Sequence, residues 1–429
     1  MKALIHANLY DFASYRPDSY VLYDTEIRET GRMKDFPGAE ETQDCRGMLV
    51  LPGLALGHAH IYSTLVRGIS LSYNPQSFKQ ILEQLWWKFD REIDIEATYH
   101  SARVAGTEHL KCGITTLIDH HASGRAIRGT LNTLKKGLCD ETGLRGVFCF
   151  ETSDRFDIYD CIAENVEFAR SVHGGQCAGM FGMHASLSLS EETLSRIAKA
   201  IGEMPIHIHA AESREDEADS LEKYGKRVVE RLDGHGLLHK GSLLAHCTHI
   251  DEREAAIIAE RGCTVALNPT SNMNNAVGLP DHPLLKSHGI QTIIGNDSLG
   301  CNITREYLNL LYGMHLKTGS AWKFSYEDLR HCITAGYDYA GGLLGIRLGK
   351  FEPGYVADMA AIPYDAPTPL DAGNIFGHVV NGVFDHYHPR DVWCGGKQLL
   401  HNYQTVYDES KIYAEAREAA GRLWERVAG

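Results

Sequence analysis

From about residue 98 to residue 300, short apolar runs alternate with longer stretches whose apolar residues recur every three or four positions. The short runs suit buried parallel strands and the longer ones suit amphipathic helices. A helix predicted over 102–111 stops near Gly113 and leads to a strand over 114–118, closed by Asp119-His120-His121. The same unit recurs as helix 131–138 before strand 147–150, helix 161–172 before strand 179–183, helix 191–201 before strand 205–209, and helix 227–232 before strand 242–246. Two further strands are expected at 264–268 and 291–297, and the apolar run 49–58 supplies the first. Eight βα units of this size imply an α/β chain folded as a distorted (β/α)8 TIM-type barrel.

Polar residues close these runs with a regularity that loops do not require. His58 and His60, His120 and His121, Glu151, His184, His209, His246, Asn268 and Asp297 all fall at or just past a predicted strand's C-terminal end. In a parallel barrel that end carries the site.

The flanks follow another pattern. Residues 1–53 and 350–405 read as short strands broken by turn residues, as at Pro37-Gly38 and Pro353-Gly354. They are expected to form one small β-sandwich built from both chain ends, leaving 54–349 for the barrel. A C-terminal helix is expected over 406–429, capped by Ser410, with Ile412, Ala416, Ala420, Leu423 and Val427 on one face. Between the first strand and the helix at 102, Phe78, Ile81, Leu82, Leu85 and Phe89 recur at helical spacing, which suits packing. Trp86 and Trp87 cannot both join that stripe, so one is expected to cover a site or meet another subunit.

Composition narrows the partners. A chain of 429 residues has ample core, and its formal charge of −14 argues against a nucleic-acid surface. Eleven cysteines with no C-x-x-C pair suit free thiols in a reducing compartment. No signal-like apolar segment opens the sequence, and no run of about 18 apolar residues occurs, so a cytoplasmic location without membrane association is expected. A small-molecule substrate and a homo-oligomer complete the expected partners.

The chemistry starts from Gly57-His58-Ala59-His60. Alternate residues of a strand share a face, so His58 and His60 project together and can hold one ion. With His209 and Asp297 they offer three imidazoles and a carboxylate, a set suited to one divalent metal, Zn²⁺ or else Fe²⁺, with a position open to water. Such an ion lowers the pKa of its water from about 15.7 to around 7. Glu212 lies three residues past His209 and can carry protons to a leaving group; His246 can orient the water and stabilise a tetrahedral adduct.

The segments G-H-A-H, H-I-H-A-A-E, A-H-C-T-H, N-P-T-S-N-M and G-N-D-S-L-G resemble the amidohydrolase superfamily in its branch of mononuclear deaminases and chlorohydrolases. Residues 85–90, 118–123, 149–155 and 271–275 are most similar to the SsnA-type aminohydrolases. The resemblance implies the same barrel and end-built sandwich, with His58, His60, His209 and Asp297 as metal ligands and Glu212, His246 and Asp297 as catalytic residues. It further implies that Asp297 takes a proton from the attacking water and that Glu212 protonates a substrate nitrogen.

Two positions depart from the wider pattern. The fourth strand ends in His184 and lacks the lysine with which binuclear members hold a second metal, and the third is followed by acidic Glu151. His121, Glu151 and His184 are therefore expected to touch substrate. The sequence thus points to a metal-dependent hydrolytic deaminase that frees ammonia from an amino-substituted nitrogen heterocycle, purine-like or related. A cyclic amidase that opens an endocyclic C–N bond is the alternative, and a chlorohydrolase comes after it.

Overall fold

The computed structural model describes residues 1–428. Five strands come from the front of the chain: β1 (Lys2–Tyr10), β2 (Tyr15–Tyr23), β3 (Ile27–Arg32), β4 (Glu41–Asp44) and β5 (Met48–Pro52). Nine parallel-sheet strands follow: β6 (Leu54–Ala59), β7 (Ile114–His121), β8 (Arg145–Phe150), β9 (Cys177–Gly179), β10 (Phe181–Ala185), β11 (Ile206–Ala210), β12 (Leu243–His246), β13 (Thr264–Leu267) and β14 (Gln291–Ile294). The rear of the chain adds β15 (Met359–Pro363), β16 (Asp391–Cys394), β17 (Lys397–His401) and β18 (Gln404–Thr405).

The flanking strands share one nine-stranded sheet, in which β5 pairs antiparallel with β15 and thereby joins the two chain ends. Leu4, Val21, Val50, Met359 and Trp393 pack one of its faces. A buried Arg145–Asp358 ion pair and the bond from the Gly53 amide to the Asp358 carbonyl (3.0 Å) tie it to the parallel strands.

The parallel strands fall into two hydrogen-bonded groups, β6 to β9 and β10 to β14. The run predicted as a single strand at 179–183 divides at Met180, because it serves both groups. The Met180 amide donates to Phe148 of β8 and the Phe181 amide to Pro205 beside β11, each at 3.1 Å. The opposite margins meet at the site: Ala59 bridges Asp297, His60 donates its amide to the Asp297 carbonyl (3.1 Å), and Asn296 donates to the His58 carbonyl (3.0 Å). Glycine permits that approach. A Cβ on Gly57 would lie 2.9 Å from the Ile294 carbonyl oxygen, and one on Gly295 would lie 2.7 Å from the His58 carbonyl oxygen. Below the site, Ile118, Val147, Leu243, Ala266 and Ile293, drawn from both groups, pack around Tyr339 and Leu344.

The helices begin where the chain supplies capping side chains. Asp157, Ser190 and Ser213 each accept a backbone N–H from the first turn of the helix that follows. The last helix, Glu409–Ala428, starts one residue before the expected cap Ser410; Asp408 instead accepts the Lys411 amide at 3.1 Å. Its buried positions are Ile412, Ala416, Ala419, Leu423 and Val427. The Trp424 indole donates to the Leu65 carbonyl (2.7 Å) and Arg426 pairs with Asp94 (2.7 Å), bracing the segment that forms one wall of the site. No helix among the described residues is long and apolar enough to cross a membrane.

Candidate metal centre and active site

His58, His60, His209 and Asp297 converge at the C-terminal ends of β6, β11 and β14. His60 Nε2 lies 3.1 Å from His209 Nε2 and 3.2 Å from Asp297 Oδ1. The ligand atoms of His58, His60 and His209 lie within 4.8 Å of one another, and so do those of His58, His246 and Asp297. Each ring is fixed by its other nitrogen: His60 Nδ1 donates to the His120 carbonyl (2.7 Å) and His209 Nδ1 to the His184 carbonyl (2.9 Å). His58 Nδ1 meets His207 Nε2 at 2.8 Å, leaving His58 Nε2 buried without a partner. Donors so oriented, with an orphaned buried nitrogen among them, fit a divalent cation.

Electrostatics agrees. Burial, reinforced by neighbouring imidazoles, holds His58 and His209 well below the ordinary histidine range, so their rings are neutral and their lone pairs free. Burial also opposes charge on His60, but the Asp297 carboxylate outweighs it and lifts that imidazole to about 9. The centre therefore favours positive charge at the place a cation would take.

Two more side chains face it. His246 Nε2, buried and unpartnered, stands 3.6 Å from Glu212 Oε2 and 3.7 Å from Asp297 Oδ2, while its Nδ1 donates to Asn272 Oδ1 (3.0 Å). Glu212 is buried, and burial followed by the charge of Asp297 pushes its carboxyl above the usual range against the pull of His246. Ala211, His246 and Asp297 all adopt left-handed backbone angles, at φ of 49°, 73° and 55°. Each bend turns a strand end sharply toward the centre, strain of the kind that clusters at functional sites.

Glu151 and His184 form a pair at 3.2 Å on the adjoining wall. The Ser188 hydroxyl donates to the Ala185 carbonyl (3.1 Å) and accepts from His184 Nδ1 (2.6 Å), so Nε2 and Glu151 Oε1 share one proton between them. Burial, with Asp90 adding, lifts Glu151 to about 8. His121 is not among the residues lining the cavity: adjacent strand residues face opposite ways, and its ring bonds Ser123 (3.1 Å) and Thr98 (3.4 Å).

Several lining residues carry no signal in the sequence pattern. Asp216, within an acidic run that reads as solvated, is buried and accepts the Ala211 amide at 3.0 Å, holding the bend before Glu212. Ser271 donates to Asp297 Oδ2. Phe78 and Leu82 line the inner cavity rather than only packing, and Trp86 lines both it and an outer chamber of about 400 Å³. The helix widens to π geometry at Leu82–Trp86, which shifts that stripe toward the cavity. Trp87 instead lies under Arg155.

Residues 49–399 match the amidohydrolase family, and the chain belongs to it. A 5-methylthioadenosine/S-adenosylhomocysteine deaminase of Halobacterium salinarum is 27% identical over 426 residues, covering 96% of this chain and 95% of that one. Among solved structures, a zinc-bound adenosine deaminase from Xanthomonas campestris superposes with a TM-score of 0.84 at 21% identity over 98% of both chains. Atrazine chlorohydrolase from Arthrobacter aurescens, complexed with zinc, gives 0.82 at 19% identity over 98% of this chain and 100% of that one.

Proposed function

We propose that this amidohydrolase is a hydrolytic deaminase that releases ammonia from an amino-substituted nitrogen heterocycle. The observation that carries the reading is the convergence of Glu212, His246 and Asp297 on one cluster of ligand atoms. The curated relatives named as deaminases, matched over nearly their whole length, support it. His58, His60, His209 and Asp297 would hold one zinc ion; the relatives' folds and the zinc in two structural neighbours favour that metal. When bound, the ion supplies Lewis acidity that makes hydroxide available near neutral pH.

The chain's own groups account for the protons. Asp297 Oδ2, steadied by Ser271, accepts a proton from the attacking water and returns it to the exocyclic nitrogen as the C–N bond breaks and ammonia leaves. Glu212 holds a proton at Oε2, delivers it to the ring nitrogen beside the carbon under attack, and takes the hydroxyl proton back as the carbonyl forms. His246 Nε2, left as an acceptor because Nδ1 donates to Asn272, receives the hydrogen bond of the hydroxyl that adds to that carbon. Trp86 and Leu82 cover the ring and keep bulk water out.

The same reading assigns the two parallel strand groups to a closed, distorted (β/α)8 barrel over 54–349 and the flanks, 1–53 with 350–405, to a β-sandwich domain, with the helix Glu409–Ala428 as a brace. Metal-replete protein assayed against aminopurines, aminopyrimidines and pterins should release ammonia from a compound whose ring stays intact. A gain of acyclic carboxylate without ammonia would overturn the assignment in favour of ring opening.

A further inference from the structure

The wall that carries Glu151 repeats one arrangement twice. Asp90 is anchored through Oδ2 to Arg155 Nη1 at 2.9 Å, the Tyr62 hydroxyl lies beside the same carboxylate, and Oδ1 makes no hydrogen bond of ordinary length. Glu151 is anchored through Oε1 to His184, and its Oε2 is likewise buried without a partner. Each residue is only 2% exposed, and both line the inner cavity. Arg155 lies behind them: Nη2 stands 3.9 Å from Glu151 Oε1, and the guanidinium is sandwiched between the rings of Trp87 and Phe156. It is held in place to orient carboxylates and does not itself line the cavity.

A buried acceptor left unsatisfied costs about 1–3 kcal/mol, more when charged, so two of them on residues that line one cavity mark a binding surface. Glu151 Oε2 accepts a hydrogen bond whichever member of its pair holds the shared proton. The two free oxygens therefore call for donors. Asp90, Glu151, Glu212, Asp216 and Asp297 line the cavity and, among the described residues, no lysine or arginine does. Away from the metal centre, a phosphate or carboxylate on the Asp90 and Glu151 side would meet carboxylates and no lysine or arginine, and an unpaired buried anion is strongly disfavoured.

Resting on the deaminase reading above, we infer that the substrate is a neutral or cationic heterocycle with two N–H donors on the edge facing Glu151 Oε2 and Asp90 Oδ1, and with no phosphate or carboxylate. Asp90 and Glu151 are then the residues that select it, and Arg155 positions both. The inference singles out rings with a guanidine-like edge, which presents two N–H donors, over ring systems that present an acceptor there.

Calorimetric titration of the metal-loaded protein with diaminopyrimidine and with orotate, a carboxylate-bearing pyrimidine, tests this without requiring turnover. Diaminopyrimidine is expected to bind and orotate is not. Glu151→Gln and Asp90→Asn are each expected to weaken diaminopyrimidine by on the order of 10-fold or more in protein whose metal content is measured alongside, the loss of one buried hydrogen bond. Tighter binding of orotate, no binding of diaminopyrimidine, or full affinity in both metal-loaded variants would overturn the inference. Ammonia assays run alongside keep the two readings apart: selective binding of the N–H-rich ring with no ammonia from any compound would sink deamination and leave this recognition standing.

Discussion

Replacing Asp297 with Ala is expected to cost the protein both its bound metal and its activity, with kcat/KM falling by on the order of 10⁴ or more as a ligand and a proton acceptor go together. Metal analysis of the purified variant beside wild type measures the first loss, and steady-state assay the second. The geometry explains why this one residue carries both. Its Oδ1 is 3.2 Å from His60 Nε2, while Oδ2 accepts from Ser271 and faces His246 at 3.7 Å, so the two oxygens look toward different tasks. Asp297 sits at φ 55°, a left-handed angle that Asp and Asn tolerate better than Ala. Asp297→Asn separates backbone strain from lost charge: it should fold as wild type does and still lose activity. A metallated, fully active Asp297→Ala protein would assign the fourth ligand elsewhere.

Glu212→Gln should behave differently. Glu212 belongs to none of the groups of converging ligand atoms among the described residues, so the variant should keep its full metal content. Its turnover should fall by about 10²–10⁴, the usual contribution of a positioned proton donor. The amide keeps the shape and the contact with Asn275 but carries no transferable proton. Loss confined to kcat, with metal unchanged, supports the shuttle; a normal kcat on a substrate that wild type deaminates would remove Glu212 from the mechanism.

The centre was legible in the sequence because its ligands are tied to strand ends, and strand ends follow from periodicity. His58 and His60 face one way because they are two apart on a strand, and His209, His246 and Asp297 each close an apolar run. What the pattern misses depends on contacts between distant segments. Nothing local tells that Asp216 turns inward to hold Ala211, that Arg155 reaches back to Asp90, or that Asp408 caps the last helix in place of Ser410. His121 shows the opposite failure: it ends a strand, but its ring is held by Ser123 and Thr98 and lines no part of the cavity. The break at Met180 was equally hidden, since one apolar run serves two groups of strands only once the chain has folded around it.

The margin where β6 meets β14 has a mechanical side. His58 and His60 belong to one group of strands and His209 and Asp297 to the other, and between β6 and β14 the backbone contact is confined to the strand ends around Ala59 and Asp297. An ion gripped by all four would act as a rivet across that joint, contributing stability in proportion to how tightly it is held. Chelation should then do more than stop catalysis. It should lower the melting temperature and speed amide hydrogen exchange at residues 57–60 and 296–298 before the rest of the strands respond, so that the centre reports its own occupancy through the firmness of the fold around it.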